Sequence, residues 1–499
     1  MNDRSIRASD APAAIERALH DLNRRWSAHI LSLWKGETPE TPPYAIYDGY
    51  DALLSLETLA GLDGVGDPER RRCLRHALMD HYLQRLLLPH ELEMRTWMRG
   101  AKAEVDGEKI GFHEVIPWCQ ADHSYEKRQI LQKETGALCK FLKPFVLNHW
   151  ELLLSAIRDD LGFDGYVDYC SRKHDMDYGR WYPVMRDFLH QTDALYFDRM
   201  ARWCEDRFHR PMADLTRFDS INLLSLAEFD GGYPSTALED TLEFFSRWGF
   251  RLEDLPGLHL DMRTDKQSAQ ALSVFVDIPD AIHILMRPQG GWIDLETLWH
   301  ELGHGLSAVF TDSGLSAVIR NMSTNYSLSE AYAFLLQNAV MSRPFLTGYL
   351  GISPADADIL HYYKSLRDLA AFRRYAARFL AEYEMFSGGN LADGDPYART
   401  MQRYTGFYHQ PESHLFDLVP EFYSLNYLLG WMGEASLEKT LRDRWGAAWV
   451  FRRASGDRLR KWWHQGNRYD IFQFLARNRL APVHTKPLLE RWREALQPK

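Results

Sequence analysis

The stretch Trp299-His300-Glu301-Leu302-Gly303-His304-Gly305 sets two histidines four positions apart with a glutamate after the first. On an α-helix, residues i and i+4 lie one above the other on the same face. Two imidazoles so placed can reach one Zn2+, whose sites favour nitrogen ligands at about 2.0–2.1 Å in tetrahedral geometry. Glu301 then stands where a base can take a proton from an activated water. The pattern predicts a zinc hydrolase, and among these a peptidase. The competing reading is a pair of core histidines satisfied by hydrogen bonds.

That chemistry requires a helix, and the flanking sequence supplies one. Apolar residues at 295, 298, 299, 302, 306 and 309 follow a helical period and predict a helix over 294–311. Gln289-Gly290-Gly291 reads as a turn before it, and Asp294 as its N-cap. A catalytic zinc takes three protein ligands and keeps a position for water. Glu330, opening the apolar helical segment that runs to Val340, is the candidate for the third. Ser327 with Glu330 three residues later equally fits a capping box. Local sequence leaves both readings open.

Peptide hydrolysis builds charge on the carbonyl oxygen, which a fixed donor can stabilise. In Pro420-Glu-Phe-Tyr-Ser-Leu-Asn-Tyr-Leu-Leu-Gly-Trp431 the proline suits a first helical turn. Tyr423 and Tyr427 then share one face and offer phenolic donors. With 16 Trp, 24 Tyr and 25 Phe in the chain, an aromatic core stripe is the rival reading. Strand formers concentrate in Ala271 to Pro279 and Ala281 to Met286, with Pro279-Asp280 as the turn between. An exposed strand edge can bind an extended peptide through its main chain, though these strands also fit a purely structural hairpin. His283 either points into a cleft or packs.

From Val274 to Leu336 the chain resembles the thimet oligopeptidase and oligoendopeptidase F family of zinc peptidases, of the HExxH gluzincin type. The matching residues are Phe275-Val-Asp-Ile-Pro279, Ile282-His-Ile-Leu-Met-Arg-Pro288, Gly290-Gly291, the motif itself and Ser329-Glu-Ala-Tyr-Ala-Phe334. The resemblance implies a mostly α fold of two helical lobes around a deep cleft, with zinc on its floor and a small β-sheet next to the motif helix. It implies Glu330 as third ligand, Tyr423 and Tyr427 facing the zinc, and a peptide-binding edge on the strand just before the motif helix. Departures are plain. The Pro-Ser-Gln that often follows the glutamate is replaced by Ala331-Tyr-Ala. A third family tyrosine falls at Gly430, and a family histidine before the first tyrosine has only His409 and His414 nearby, out of register. The resemblance is specific over 271–343, weaker over 420–499, and a general helical likeness in the first 250 residues. The tyrosine segment is also similar to carboxypeptidase Taq-like enzymes. Recognition of a free C-terminus needs a placed cation, for which Arg373, Arg374 and Arg378 are candidates unless they form a solvated helix face.

Composition bounds the rest. The 499 residues are 45% hydrophobic and 26% charged, an ordinary globular balance. A net charge of −10 without a basic stripe argues against nucleic acid as partner. No apolar run approaches the ~18 residues of a membrane span. The start, Met1-Asn-Asp-Arg-Ser-Ile-Arg7, lacks the apolar core of a secretory signal. Cys73, Cys119, Cys139, Cys170 and Cys204 lack paired spacing and read as reduced thiols of a cytoplasmic protein. Helical patterns cover 11–34, 48–61, 68–100, 124–159, 177–208, 236–249, 294–311, 328–343, 353–387 and 420–444. Arg458 to Gly466 reads as a helix packing its tryptophans inward. Residues 1–250 are expected to form an N-terminal helical lobe and 251–499 the zinc-binding lobe, with a soft boundary that allows interleaving.

The expectation is therefore a cytoplasmic peptidase with one Zn2+ per chain, acting on short peptides that enter a covered cleft. His300, His304 and Glu330 hold the metal, Glu301 is the base, and Tyr423 and Tyr427 steady the intermediate. The alternatives are a carboxypeptidase on the same site and a helical binding protein that keeps the motif without turnover. Substrate and oligomeric state are left open by the sequence.

Overall fold

The computed structural model describes residues 12–121, 124–262, 271–324 and 326–497. The reading of Met1 to Arg7 lies outside them. Within them the chain is mostly helical. The elements that frame the site are α1 (Pro12–Trp34), α2 (Pro68–Gly100), α3 (Tyr125–Ser155), α4 (Tyr166–His174), α5 (Tyr178–Phe208), α6 (Trp292–Val309), α7 (Ala317–Asn321), α8 (Tyr326–Val340), α9 (Pro354–Gly388), α10 (Tyr423–Trp445) and α11 (Arg453–Trp463). The strands are β1 (Lys102–Val105), β2 (Glu108–Gly111), β3 (Leu258–Asp261), β4 (Leu272–Asp277) and β5 (Ala281–Leu285).

The long helices begin where the sequence supplies caps. Asp67 accepts from the Arg70 amide at 3.0 Å and Pro68 opens α2. Asp177 does the same for α5 and Ser353 for α9, again followed by a proline. The periodicity over 68–100, 177–208 and 353–387 is realised almost to the residue. Trp462 and Trp463 on α11 are each 1% exposed, turned inward as expected. No helix among the described residues is long and apolar enough to cross a membrane.

One connected apolar cluster runs from Ile15 to Leu496. Helices from both halves of the chain share it: Phe188 on α5 packs on Phe372 on α9, their ring centroids 4.6 Å apart.

The sheet beside the motif helix has the order β3-β5-β4, with β5 parallel to β3 and antiparallel to β4. The strand just before the motif helix is therefore central and paired on both sides. The expected peptide-binding edge is not β5. The short β3, four residues with no strand-like run around them, takes β5's other side. The edge on the site's side is β4, whose Ser273 reaches the motif helix. At its far end Asp277 is held by His20 and Arg24 of α1 and by Asn321 of α7.

Candidate metal centre

The motif helix α6 starts earlier than the sequence suggested. Its N-cap is Gly291, and Asp294 sits in the first turn. Asp294 instead accepts the amides of Gln289 and Gly290 at 2.7 and 2.6 Å, pinning the preceding turn. Leu295, Leu298, Trp299, Leu302 and Leu306 are fully buried, so the opposite stripe turns His300 and His304 toward α8.

Helices α6 and α8 approach unusually closely. A Cβ at Gly303 would lie 2.4 Å from the Ala333 Cα. Glu330 is on α8, and its Oε2 lies 3.5 Å from His300 Nε2 and 3.7 Å from His304 Nε2. The ligand atoms of the three residues fall within 4.8 Å of one another. Glu330 is 2% exposed, and its Oε2 is buried without a hydrogen-bond partner. Burial pushes its carboxyl up to about 8, against a hydrogen bond from Tyr423 that favours the charge. A carboxylate oxygen left bare between two imidazole nitrogens fits a cation. An oxygen 3.5 and 3.7 Å from the two nitrogens is close to what zinc requires, since its tetrahedral donors stand about 3.3 Å apart at its bond lengths.

The imidazoles are set for the same task. His300 Nδ1 donates to Gln337 Oε1 at 2.9 Å, and His304 Nδ1 is 2.7 Å from Ser329 Oγ. The bond to the Gln337 carbonyl oxygen leaves the His300 Nε2 lone pair facing Glu330, and the Ser329 hydroxyl can accept from His304 Nδ1 to the same effect. Burial pushes His300 down to about 4 and His304 well below its ordinary value, keeping both neutral as ligands must be. The sequence reading missed Ser329 and Gln337. Gln337 stands seven residues after Glu330, two turns along the same face, which is the signal that could have found it.

Glu301 Oε2 accepts from the Ser273 hydroxyl of β4 at 2.7 Å. Burial pushes its carboxyl up to about 7 against that bond. The capping-box reading of Glu330 fails: its Oε1 accepts from Tyr423 Oη at 2.8 Å, and Ser327 bonds Asn426 instead.

Tyr423 and Tyr427 lie together on α10, ring centroids 5.0 Å apart. Tyr423 spends its hydroxyl on Glu330. Tyr427 stacks on Tyr375 of α9 at 4.7 Å, and its hydroxyl makes no hydrogen bond among the described residues. Gly430 occupies the place of the missing tyrosine because a Cβ there would lie 2.4 Å from the Glu330 Cβ. The turn before α10 puts Glu421 and Phe422 at φ 57° and 53°. Lys173 holds Glu421 Oε1 at 2.7 Å, and His174 holds Oε2 at 2.9 Å.

The other candidates lie elsewhere. His409 bonds the Phe407 carbonyl, and His414 bonds the carbonyls of Pro411 and Leu391. Arg373 is spent on Asp193, Thr192 and two carbonyls, while Arg374 and Arg378 share Asp417. Arg217 holds the same Asp417, so three guanidiniums stand against one carboxylate and Arg374 and Arg378 keep positive charge that it does not cancel. His283 is half-buried and stacks on His259 at 4.5 Å on the neighbouring strand. The five cysteines are buried and free.

No protein-family model matches the chain, and no curated protein matches it. Solved structures do. Metallocarboxypeptidase 1 of Trypanosoma cruzi superposes with a TM-score of 0.59 at 13% identity, covering 98% of this chain and 99% of that one. The M32 carboxypeptidase of Deinococcus radiodurans R1 gives 0.60 at 16%, covering 97% and 98%. A Bacillus anthracis protein described as an oligoendopeptidase F gives 0.53 at 14%, covering 98% and 86%. The fold is that of the helical metallopeptidases. Both kinds of enzyme that the sequence resembles stand among these neighbours, each matched over nearly the whole of this chain.

Proposed function

We propose that this protein hydrolyses peptide bonds with one zinc ion held by His300, His304 and Glu330. The observation that carries the reading is Glu330 Oε2, buried and unbonded between the Nε2 atoms of two neutral histidines. The names of the structural neighbours, carboxypeptidase and oligoendopeptidase, support peptide as the substrate class. When bound, zinc acidifies a water and polarises the peptide carbonyl.

The chain's own residues do the rest. Glu301 takes a proton from the attacking water and delivers it to the leaving amine. A carboxyl raised to about 7 suits both transfers near neutral pH. The Ser273 hydroxyl fixes the orientation of that carboxylate. Tyr427, with its phenol uncommitted, donates to the developing oxyanion. Tyr423 steadies the same region and, through Glu330, orients the third ligand. The test pairs elemental analysis with hydrolysis of a quenched-peptide library for wild type and Glu301→Gln. One equivalent of zinc in both and a rate loss of about 100-fold or more in the variant are expected. A zinc-free wild type, or a variant as active as wild type, refutes the reading.

A further inference from the structure

Both ring nitrogens of His174 face acceptors. Its Nδ1 lies 3.2 Å from the Thr324 carbonyl oxygen, and its Nε2 lies 2.9 Å from Glu421 Oε2. A carbonyl oxygen only accepts, and so does an ionised carboxylate. Burial alone would raise the Glu421 carboxyl, but Lys173 and His174 hold it well below the usual carboxylate range. Glu421 is therefore ionised, and neither partner can supply the hydrogen for its bond. Both hydrogens must come from the ring, which makes it an imidazolium.

The surroundings suit a cation. His174 is the last residue of α4, where the negative end of the helix dipole favours positive charge. Lys173 bonds both Asp80 and Glu421, so with His174 the cluster sets two cations against two carboxylates. Arg72 is paired with Glu69 and donates to the Lys173 carbonyl and the Thr324 hydroxyl. His76 is pushed down to about 3 by burial and by Lys173, Arg72 and His174, and stays neutral. The Tyr326 ring, 6.0 Å away, has its phenol pushed up to about 12 by burial and adds no charge.

The two acceptors belong to the two helices that meet at the metal centre. Thr324 lies two residues before α8, which carries Glu330, and Glu421 lies two residues before α10, which carries Tyr423 and Tyr427. The Ser327–Asn426 bond ties these helices together. The turn at Glu421 aims Tyr423 at Glu330. Tyr166 and Tyr178 hold the Glu421 main chain at 2.7 and 3.4 Å, while Lys173 and His174 hold its carboxylate. Of these four side chains, His174 is the one whose other end grips the approach to α8. We infer that His174 is a positioning residue, held as the imidazolium, that joins the starts of α8 and α10 and so sets Tyr423 against Glu330. Its consequence for turnover rests on the peptidase reading above.

Two measurements test this without relying on hydrolysis. Nitrogen-15 spectra of the histidine-labelled, zinc-loaded protein at neutral pH should show hydrogen on both nitrogens of His174, its signals assigned by their loss in His174→Asn. One bare nitrogen overturns the inference. Zinc affinity is then read by chelator competition in a double-mutant cycle. His174→Asn keeps a donor near the Nδ1 position and drops the one to Glu421. It should lower zinc affinity severalfold, by no more than the about tenfold expected of Tyr423→Phe. In the Tyr423→Phe background it should change nothing further, because the bond it positions is already gone. Glu421→Gln, which keeps the shape of the side chain, should show the same coupling. Equal losses in both backgrounds mean a general loosening of the fold and overturn the positioning role, as does wild-type affinity in both His174→Asn and Glu421→Gln. Hydrolysis is read separately: at saturating zinc, His174→Asn should lower kcat with KM held within about twofold. A doubly protonated ring and the zinc coupling, without turnover of any peptide by the wild type, would sink the peptidase reading and leave the role of His174 standing.

Discussion

Replacing Gly303 by alanine should damage the metal centre without touching a ligand. The added methyl would lie 2.4 Å from Ala333 Cα, 2.7 Å from its nitrogen and 2.7 Å from the Tyr332 oxygen. All three are main-chain atoms, which no side-chain rotation can move. Ordinary contact begins at 3.4 Å, so α6 and α8 must part by about 1 Å. That separation falls on the distances that define the site, because two ligands sit on α6 and the third on α8. His300 Nε2 to Glu330 Oε2 would open from 3.5 Å to about 4.5 Å. Zinc wants about 3.3 Å there. Alanine gains about 1 kcal/mol of helix propensity over glycine, and overpacking costs about 1–3 kcal/mol, so the fold itself should weaken only modestly. Zinc affinity should fall by about 10- to 100-fold, as when a ligand's support is lost. Competition with a coloured chelator reads the affinity and a thermal melt reads the fold. Gly388→Ala at the end of α9, where a Cβ meets nothing within 4 Å, is the control. Wild-type zinc affinity in Gly303→Ala would refute the close approach of the two helices as the frame of the site.

Other outcomes follow from the same geometry. Tyr423→Phe removes the donor to Glu330 and should lower zinc affinity about tenfold, whereas Tyr427→Phe should lower kcat with zinc affinity unchanged; chelator titration and steady-state kinetics separate the two. Chelation should lower the thermal midpoint, since zinc at 100 times its Kd stabilises by about 2.7 kcal/mol, and an unchanged midpoint would mean that the metal is not bound to the fold. Burial holds His81 and His409 at about 4 and His76 at about 3, all below the unfolded value of 6.5. Their contribution is full above pH 6.5 and is lost as pH falls toward 4, on the order of 2–3 kcal/mol for each. Urea midpoints that stay flat between pH 7 and 4.5 would contradict this.

What the sequence made legible is what a local period encodes. The i, i+4 pair of histidines, the helix beneath them and the tyrosine pair all follow from spacing within one element. So do the inward tryptophans of α11. The β1–β2 hairpin was there to be read, for Asp106-Gly107 turns it at φ 51° and 87°, a strong hairpin dipeptide. Its short charged strands hid it between two long helical patterns. The edge-strand expectation failed for a different reason. Whether β5 has a free side depends on β3, which leaves no pattern over four residues. The arginines of α9 were ambiguous because their partners Asp193 and Asp417 are remote in sequence. Gly430 looked like a defect in the tyrosine pattern, and close packing on Glu330 accounts for it.

The turn at Glu421 and Phe422 bears on the order in which the site assembles. The three proposed metal ligands lie between residues 300 and 330, on helices separated only by the short α7. The turn that launches the tyrosine helix is instead tied to Lys173 and His174, across 248 and 247 residues. Two consecutive left-handed residues without glycine cost about 1–3 kcal/mol each, so this turn persists only once those distant bonds close it. Closing so long a loop carries more entropy than pairing two adjacent helices. A growing chain therefore gathers the proposed metal ligands first and sets its tyrosines last, so on the proposed function the capacity to hold zinc precedes the capacity to use it.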